Sequence, residues 1–304
     1  MLLLITGSMD GTSDLIVSKL ENKVFRFNYD LYKHYKFEFH TDYWEITNPA
    51  GLSINSKTVK TAFWWKAFNF SLDGEDKFIV EEVKYIFREL YHWCRLQGIA
   101  KGNPHDFHNH LGKINLLKIA SKYFEIPNTL ATFKLAGLEK MHGLDIVAKS
   151  FTSALTGTNG TLMTTEVKAE ALHPDYPWYL QEKIVSDADI TVFVCGEKLF
   201  AYERDRSGLK GLDWRTEQAF DINVKEWIRF ALTEKESNAV TDFCADISVD
   251  WGRLDLMRKN EELVFLEFNA NGQWVFLDYA NEDGLLDSTI QYITSTPQIN
   301  ATNE

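Results

Sequence analysis

The stretch ELVFLEFNANGQW, residues 262–274, runs a strongly apolar strand straight into a carboxylate and two amides. Side chains alternate faces along a strand, so Glu267 and Asn269 fall on one face, and Leu266 and Phe268 on the other. A carboxylate and an amide carbonyl two residues apart make two oxygen ligands pointing the same way. The same residues also fit a strand that ends in solvent, with Asn269 opening a turn. Upstream, WGRLDLMRKNEELVFLEFN places two short apolar runs around Arg258-Lys259-Asn260-Glu261, a connection of hairpin length. Folding there sets Asp255 opposite Phe265 to Glu267. Facing carboxylates repel, and a bound cation removes that objection. Asp255, Glu267 and Asn269 then form an all-oxygen site with too few ligands for a closed cage. That suits Mg²⁺, which keeps waters and shares its shell with substrate phosphates.

Such a metal raises the question of whether the chain also has a place for a nucleotide. Lys149 ends an apolar strand and faces SFTSALTGTNGT, a loop holding Gly157 and Gly160 among serines and threonines. A lysine there can reach phosphates while backbone amides close over them. It reads equally as a solvated lysine at a strand end. In YLQEKIVSDADITVFVCGEKLFAYER a run with Gln181, Glu182 and Lys183 meets an acidic break and a further strand. Backbone groups in such a linker can bind an adenine edge, and Asp189 can accept from ribose hydroxyls. An ordinary loop between strands fits these residues as well. Likewise Arg204, Arg206 and Lys210 fit a solvated basic loop. GSMDGTSD near the start lacks the Gly-Lys-Ser/Thr ending of a phosphate loop.

The elements that must position these residues are legible in outline. Leu2 to Ile5, a helix start at Asp10-Gly11-Thr12-Ser13, and Val24 to Phe27 predict a β-α-β opening with a parallel pair. Strands follow around Tyr35 to Phe39 and Ala62 to Lys66. Over residues 79–97, Ile79, Val83, Ile86, Phe87, Leu90, Trp93 and Cys94 share one helical face, and Gly98 stops the helix. The stripe is core packing. GIAKGNPHDFHNH predicts a loop and a domain boundary; His105, His108 and His110 lack the spacing of metal ligands. A helix spans about Lys113 to Phe124, before Pro127. Strands at Asp145 to Lys149, Leu180 to Ile184 and Ile190 to Val194 precede the hairpin, and Leu285 to Thr294 is a last helix.

The chain has 304 residues, enough for one large domain or two to three small ones. A net charge of −12 leaves no broad basic surface for nucleic acid. Cys94, Cys195 and Cys244 lie far apart without metal spacing and predict core thiols in a reducing compartment. MLLLITG lacks a basic lead-in and predicts a first strand, not a signal peptide. No segment reaches the roughly 20 apolar residues of a membrane span, so the expectation is a soluble, cytoplasmic protein with no membrane partner.

The order of these features resembles the ATP-grasp ligases. Within them the chain resembles the graspetide synthetases, the microviridin-type and grasp-with-spasm peptide macrocyclases. KVFRFNYD and TAFWWKAF resemble that group's N-terminal strands. NPHDFHNHLGKINLLKIASKYFEIPNTLAT, LDWRTE and FLEFNANGQW resemble its lysine helix, its Asp-Trp-Arg element and its metal strand. The resemblance implies an α/β (α+β) ATP-grasp fold: an N-terminal α/β domain at 1–98, a central subdomain at 99–180, and a C-terminal subdomain at 181–304. ATP would lie between the last two. Lys113 and Lys149 would bind phosphates; Glu182 and the backbone of Lys183, Ile184 and Val185 would hold adenine; Asp189 would take the ribose. Asp255, Glu267 and Asn269 would hold Mg²⁺, and Arg215 would orient a carboxylate or acyl phosphate. The implied substrate is a precursor peptide, leader plus core, whose Asp or Glu side chains are joined to Ser, Thr or Lys. A homodimer is compatible with the chain but not specified by it. Two departures stand out. Thr191 replaces an arginine of the family's Glu-Leu-Arg, and Asn269-Ala270-Asn271 replaces Asn-Pro-Asn. The rival readings are a ligase of free amino acids or small carboxylates, and a non-catalytic nucleotide-binding protein that presents a peptide-binding surface.

Overall fold

The computed structural model describes residues 1–66, 72, 74–104, 106–152, 164–207, 209, 212 and 225–296. The β-α-β opening is present as β1 (Leu2–Thr6), α1 (Gly11–Leu20) and β2 (Val24–Asn28). Asp10 caps α1 by accepting from the Ser13 amide. A small antiparallel sheet of β3 (Lys36–Phe39), β4 (Trp44–Thr47) and β5 (Ser53–Asn55) follows. The chain then crosses to the other side of β1 as β6 (Thr61–Trp64), parallel to it.

Next comes α2 (Lys77–Leu96), which buries Val83, Phe87, Leu90 and Cys94 as its stripe predicts. Ile79 and Ile86 lie at the rim of that stripe and stay 39% and 43% exposed. After Gly98, at φ +67, β7 (Ala100–Lys101) completes a parallel sheet of order β2-β1-β6-β7. The polar stretch expected as loop carries a short helix, α3 (Phe107–Leu111), because Phe107 and Leu111 pack into the main core. His108 and His110 therefore sit on a helix, and His105 lies outside the described residues. Helix α4 (Lys113–Ala120) starts after Gly112 and gives way to turns before Phe124.

Two antiparallel sheets build the rest. One has the order β10-β9-β11-β8, from β8 (Thr129–Thr132), β9 (Ile146–Lys149), β10 (Thr165–Val167) and β11 (Trp178–Glu182). The other has the order β14-β13-β12-β15-β16, from β12 (Ala188–Cys195), β13 (Lys198–Asp205), β14 (Ile228–Phe230), β15 (Trp251–Lys259) and β16 (Glu262–Asn269). Helix α5 (Glu234–Asp246) lies between β14 and β15, and α6 (Leu285–Thr294) follows β16.

The five-stranded sheet is where packing decides chemistry. Ile190, Val192 and Val194 of β12 and Leu254 and Leu256 of β15 face Val240, Phe243 and Cys244 of α5 and Leu116, Leu117 and Ala120 of α4. On the opposite face, Phe193, Cys195 and Trp251 pack against Leu2, Leu4, Phe63 and Trp65 of the N-terminal sheet and Leu285 and Ile293 of α6. That cover stops halfway. Further along the same face the alternation continues as Asp189 and Thr191 on β12, and Arg253 and Asp255 on β15. These line a cleft instead of a core.

Gly252 shows how tightly the apolar side is built. Its φ is +138, and a Cβ there would overlap the ring of Phe268. Overpacking and backbone strain together predict that Gly252→Ala lowers stability by about 3 kcal/mol, read from denaturant melts. A melt unchanged from wild type would mean that Phe268 yields at no cost. All three cysteines are buried, and burial pushes the thiols of Cys195 and Cys244 up to about 12. Among the described residues, no helix is long and apolar enough to cross a membrane.

Candidate functional site

The predicted hairpin forms, and Asp255 pairs with Glu267, at one end of the stretch Phe265 to Glu267 expected opposite it. Its turn is narrower than Arg258 to Glu261: β15 and β16 run up to Asn260 and Glu261, at φ +51 and +67, the two left-handed positions of a type I′ turn. The pairing slips by one residue between Asp255 and Leu256, since Leu256 meets Phe265 and leaves Leu266 as a bulge. The bulge corrects the simple alternation. Leu263 and Phe265 point into the α5 core, and strict alternation would send Glu267 after them. The surplus residue brings Leu266 and Glu267 both onto the cleft and returns Phe268 and Ala270 to the core.

The two carboxylates do not face each other bare. Arg253 grips Asp255 with two bonds, Nε to Oδ1 at 2.9 Å and Nη2 to Oδ2 at 3.0 Å. Its third nitrogen donates to the Gln273 carbonyl at 2.7 Å. Lys113 lies 3.8 Å from Glu267 Oε2 and donates to the Ser150 carbonyl at 3.0 Å. Thr191 donates to Asp255 Oδ1 at 3.3 Å. So the repulsion expected from register alone is offset by two cations of the chain.

The Asn269 amide nitrogen lies between the acids, 2.5 Å from Asp255 Oδ2 and 3.3 Å from Glu267 Oε1. That point attracts positive charge. A half-turn of the amide would present its oxygen there with the two carboxylates, an all-oxygen set that fits a hard divalent cation. Among the described residues no three His, Cys, Asp or Glu side chains converge as a metal site; the third arm here is an amide.

The cleft beside this cluster measures about 950 Å³, open solvent included. Lys149, at the end of β9, lines it, as do Glu182, Lys183, Ile184 and Asp189. The Glu182 carboxylate accepts from the Asn128 side chain at 2.7 Å and so braces the linker. Lys183 pairs with Glu166 at 2.6 Å, and its amide donates to the Asp145 carbonyl. Val185 is 74% exposed and does not line the cleft. Among the described residues, Ile184 and Val185 make no backbone–backbone hydrogen bonds.

Asp189 is buried and ion-paired to Arg206 at 2.6 Å. The solvated-loop reading of Arg204 and Arg206 is thereby overturned. Arg204 is buried and bonds the Lys225 carbonyl, while Arg206 lines the cleft. Lys210, Arg215, Gly157 and Gly160 lie outside the described residues. The residue that sequence reasoning missed is Arg253. Its signal was present: Arg-x-Asp on one strand face puts the guanidinium beside the carboxylate.

No sequence-family profile matches the chain, and no curated protein is significantly similar to it. Solved structures do match along nearly the whole length. The macrocyclase MdnC of Microcystis aeruginosa MRC, bound with precursor peptide MdnA, superposes with a TM-score of 0.79 at 18% identity. That match covers 97% of this chain and 100% of that one. A RiPP-associated ATP-grasp ligase of Chryseobacterium gregarium, in complex with ADP and a leader and core peptide, gives 0.79 at 24% identity, covering 96% of each chain. The ATP-grasp ligase PsnB, complexed with minimal precursor, Mg and ADP, gives 0.71 at 11% identity, covering 97% and 98%. The fold is the ATP-grasp fold. In this ATP-grasp chain the polar half-face of the five-stranded sheet forms one wall of the cleft, and β9 and β11 form the other.

Proposed function

We propose that this chain is an ATP-dependent ligase that activates side-chain carboxylates of a ribosomally made precursor peptide and joins them to Ser or Thr hydroxyls or Lys amines. The reading rests on the convergence of Asp255, Glu267 and Asn269 with Lys113 and Arg253, beside a cleft that Lys149 and the linker also line. Structures of the same fold that hold ADP, Mg or precursor peptides support it. The nucleotide lies between units spanning 99–180 and 181–304, with 1–98 as the N-terminal unit. Asp255, Glu267 and Asn269 hold Mg²⁺, which when bound neutralises charge on the phosphate oxygens.

The chain's own residues do the positioning. Ile184 offers backbone groups to adenine, next to Lys183, while Glu182 holds the linker in place through Asn128 and Val185 stays outside the cleft. Asp189, fixed by Arg206, meets the ribose. Lys113 and Lys149 take phosphate oxygens, and Arg253 and Arg215 steady the transferring phosphoryl group and the carboxylate that receives it. The carboxylate attacks the terminal phosphorus of ATP, giving an acyl phosphate and ADP. A hydroxyl or amine then attacks the acyl carbon and expels phosphate, so each bond costs the peptide one water.

The test is to incubate the protein with Mg²⁺-ATP and a peptide rich in Glu, Asp, Ser, Thr and Lys. ADP release matched by loss of one water per crosslink in the mass spectrum is expected. ADP release only with free amino acids would select the small-carboxylate ligase, and nucleotide binding without turnover the non-catalytic reading. The nucleotide end has its own prediction. A phosphate-facing lysine supplies charge-assisted contacts, so Lys149→Ala weakens ATP binding by roughly ten- to a hundredfold with its fold intact. Unchanged affinity in calorimetry would place Lys149 off the phosphates.

A further inference from the structure

Gln181, near the end of β11, carries one polar atom that the fold leaves unused. Alternation along β9 and β11 sends Leu180, Ile146 and Ala148 into the core of their sheet. Gln181, Val147 and Lys149 fall on the other face, and all three line the cleft. Gln181 itself is only 1% exposed. Its Nε2 donates to the Thr129 hydroxyl oxygen at 3.1 Å, across the pairing of β11 with β8. Among the described residues nothing donates to its Oε1, although that oxygen is closed off from water. A buried amide oxygen without a donor is costly, and native folds keep few of them.

The amide cannot correct this by turning over. Thr129 has a single hydroxyl hydrogen and gives it to the Pro127 carbonyl at 2.8 Å. Toward Gln181 it can therefore only accept, which fixes Nε2 on the Thr129 side and turns Oε1 away from it. A reversed amide would set two acceptors against each other. The cleft face of β11 thus holds a preset hydrogen-bond acceptor, two residues before Lys183. Mg²⁺-ATP carries hydrogen-bond donors in two places, the ribose hydroxyls and the exocyclic amine of adenine. Asp189 meets the ribose, so the amine is the donor left for Gln181.

We propose that Gln181 selects the base of the nucleotide: its Oε1 accepts from the exocyclic amine of adenine, and Thr129 is the positioning residue that holds it in that orientation. A base with an oxygen in place of the amine would meet acceptor with acceptor and is refused. This rests on the nucleotide part of the proposed function and not on the identity of the peptide. The test is calorimetry in Mg²⁺ with ATP, with purine riboside triphosphate, which lacks the amine, and with ITP, which has an oxygen there. Gln181→Met should weaken ATP binding about tenfold and leave purine riboside triphosphate unchanged. Thr129→Val frees the amide to turn its NH₂ to the ITP oxygen, so the preference for ATP over ITP should narrow about tenfold, chiefly through tighter ITP. Equal loss of ATP and purine riboside triphosphate in Gln181→Met would make Gln181 a structural residue, and unchanged ATP affinity would take it off the base; either result overturns the proposal. Should Gln181→Met not fold, Thr129→Val decides, and an ATP-to-ITP ratio equal to wild type overturns it. A protein that shows the expected pattern yet releases no ADP with any peptide would overturn the ligase reading and leave the role of Gln181 standing.

Discussion

Glu267→Gln abolishes the stabilisation by Mg²⁺-ATP while hardly changing the protein without ligand. The substitution keeps the shape and removes one of two negative charges that face the Asn269 amide. Phosphoryl transfer loses charge compensation where it needs it, so turnover falls by about a hundredfold or more. A ligand at a hundred times its dissociation constant adds about 2.7 kcal/mol to wild-type stability, and most of that increment disappears in the variant. The unliganded protein behaves differently from what two facing carboxylates alone would dictate. Relief of repulsion would make the variant more stable, but Arg253 and Lys113 already offset that repulsion. What is lost is a Lys113 contact at 3.8 Å between side chains 25% and 35% exposed, worth about 0–1 kcal/mol. Thermal melts of both proteins with and without Mg²⁺-ATP read all of these effects together. A variant that keeps its ligand-dependent shift and its turnover removes Glu267 from the metal site.

Arg253→Ala damages both stability and activity. The arginine makes two bonds to Asp255 and one to the Gln273 carbonyl, and its side chain is only 13% exposed. Removing it strands Asp255 beside Glu267. Breaking one side of a mostly buried pair costs about 3 kcal/mol, at the low end of the usual range because Asp255 is partly solvated. Turnover at saturating Mg²⁺-ATP falls by about a hundredfold or more, since a donor aimed at developing charge is lost. Arg253→Lys does not rescue it, because an ammonium cannot make the two-pronged contact. Melts that coincide with wild type would show the Asp255 pair to be ornamental.

Much of this site could be read from residue types. The hairpin, the placing of Asp255 opposite the stretch Phe265 to Glu267 and the strand ending at Lys149 follow from apolar runs and turn chemistry. Three things did not. The bulge at Leu266 left a trace in the shift from Leu263 and Phe265 to Phe268 and Ala270, but a shift of apolar parity also fits a strand buried on both sides. Arg206 resembled a solvated loop cation because its partner, Asp189, lies on the neighbouring strand, 17 residues away. Glu182 lines the cleft, but the bond that braces it, from Asn128 54 residues earlier, had no local signal. Each miss is a long-range pairing, and local pattern carries no distance information across a sheet.

The face of β12 and β15 that begins as aromatic core and ends as cleft makes one cooperative body of the two. Val240 and Phe243 press on the back of the strands whose front holds Asp189, Thr191 and Asp255. A ligand clamped to the front therefore opposes the opening motions that expose the back. Amide hydrogens of α5, which touches no ligand, should exchange more slowly when the cleft is filled. Binding energy spent at one wall is banked as rigidity on the far side of the sheet.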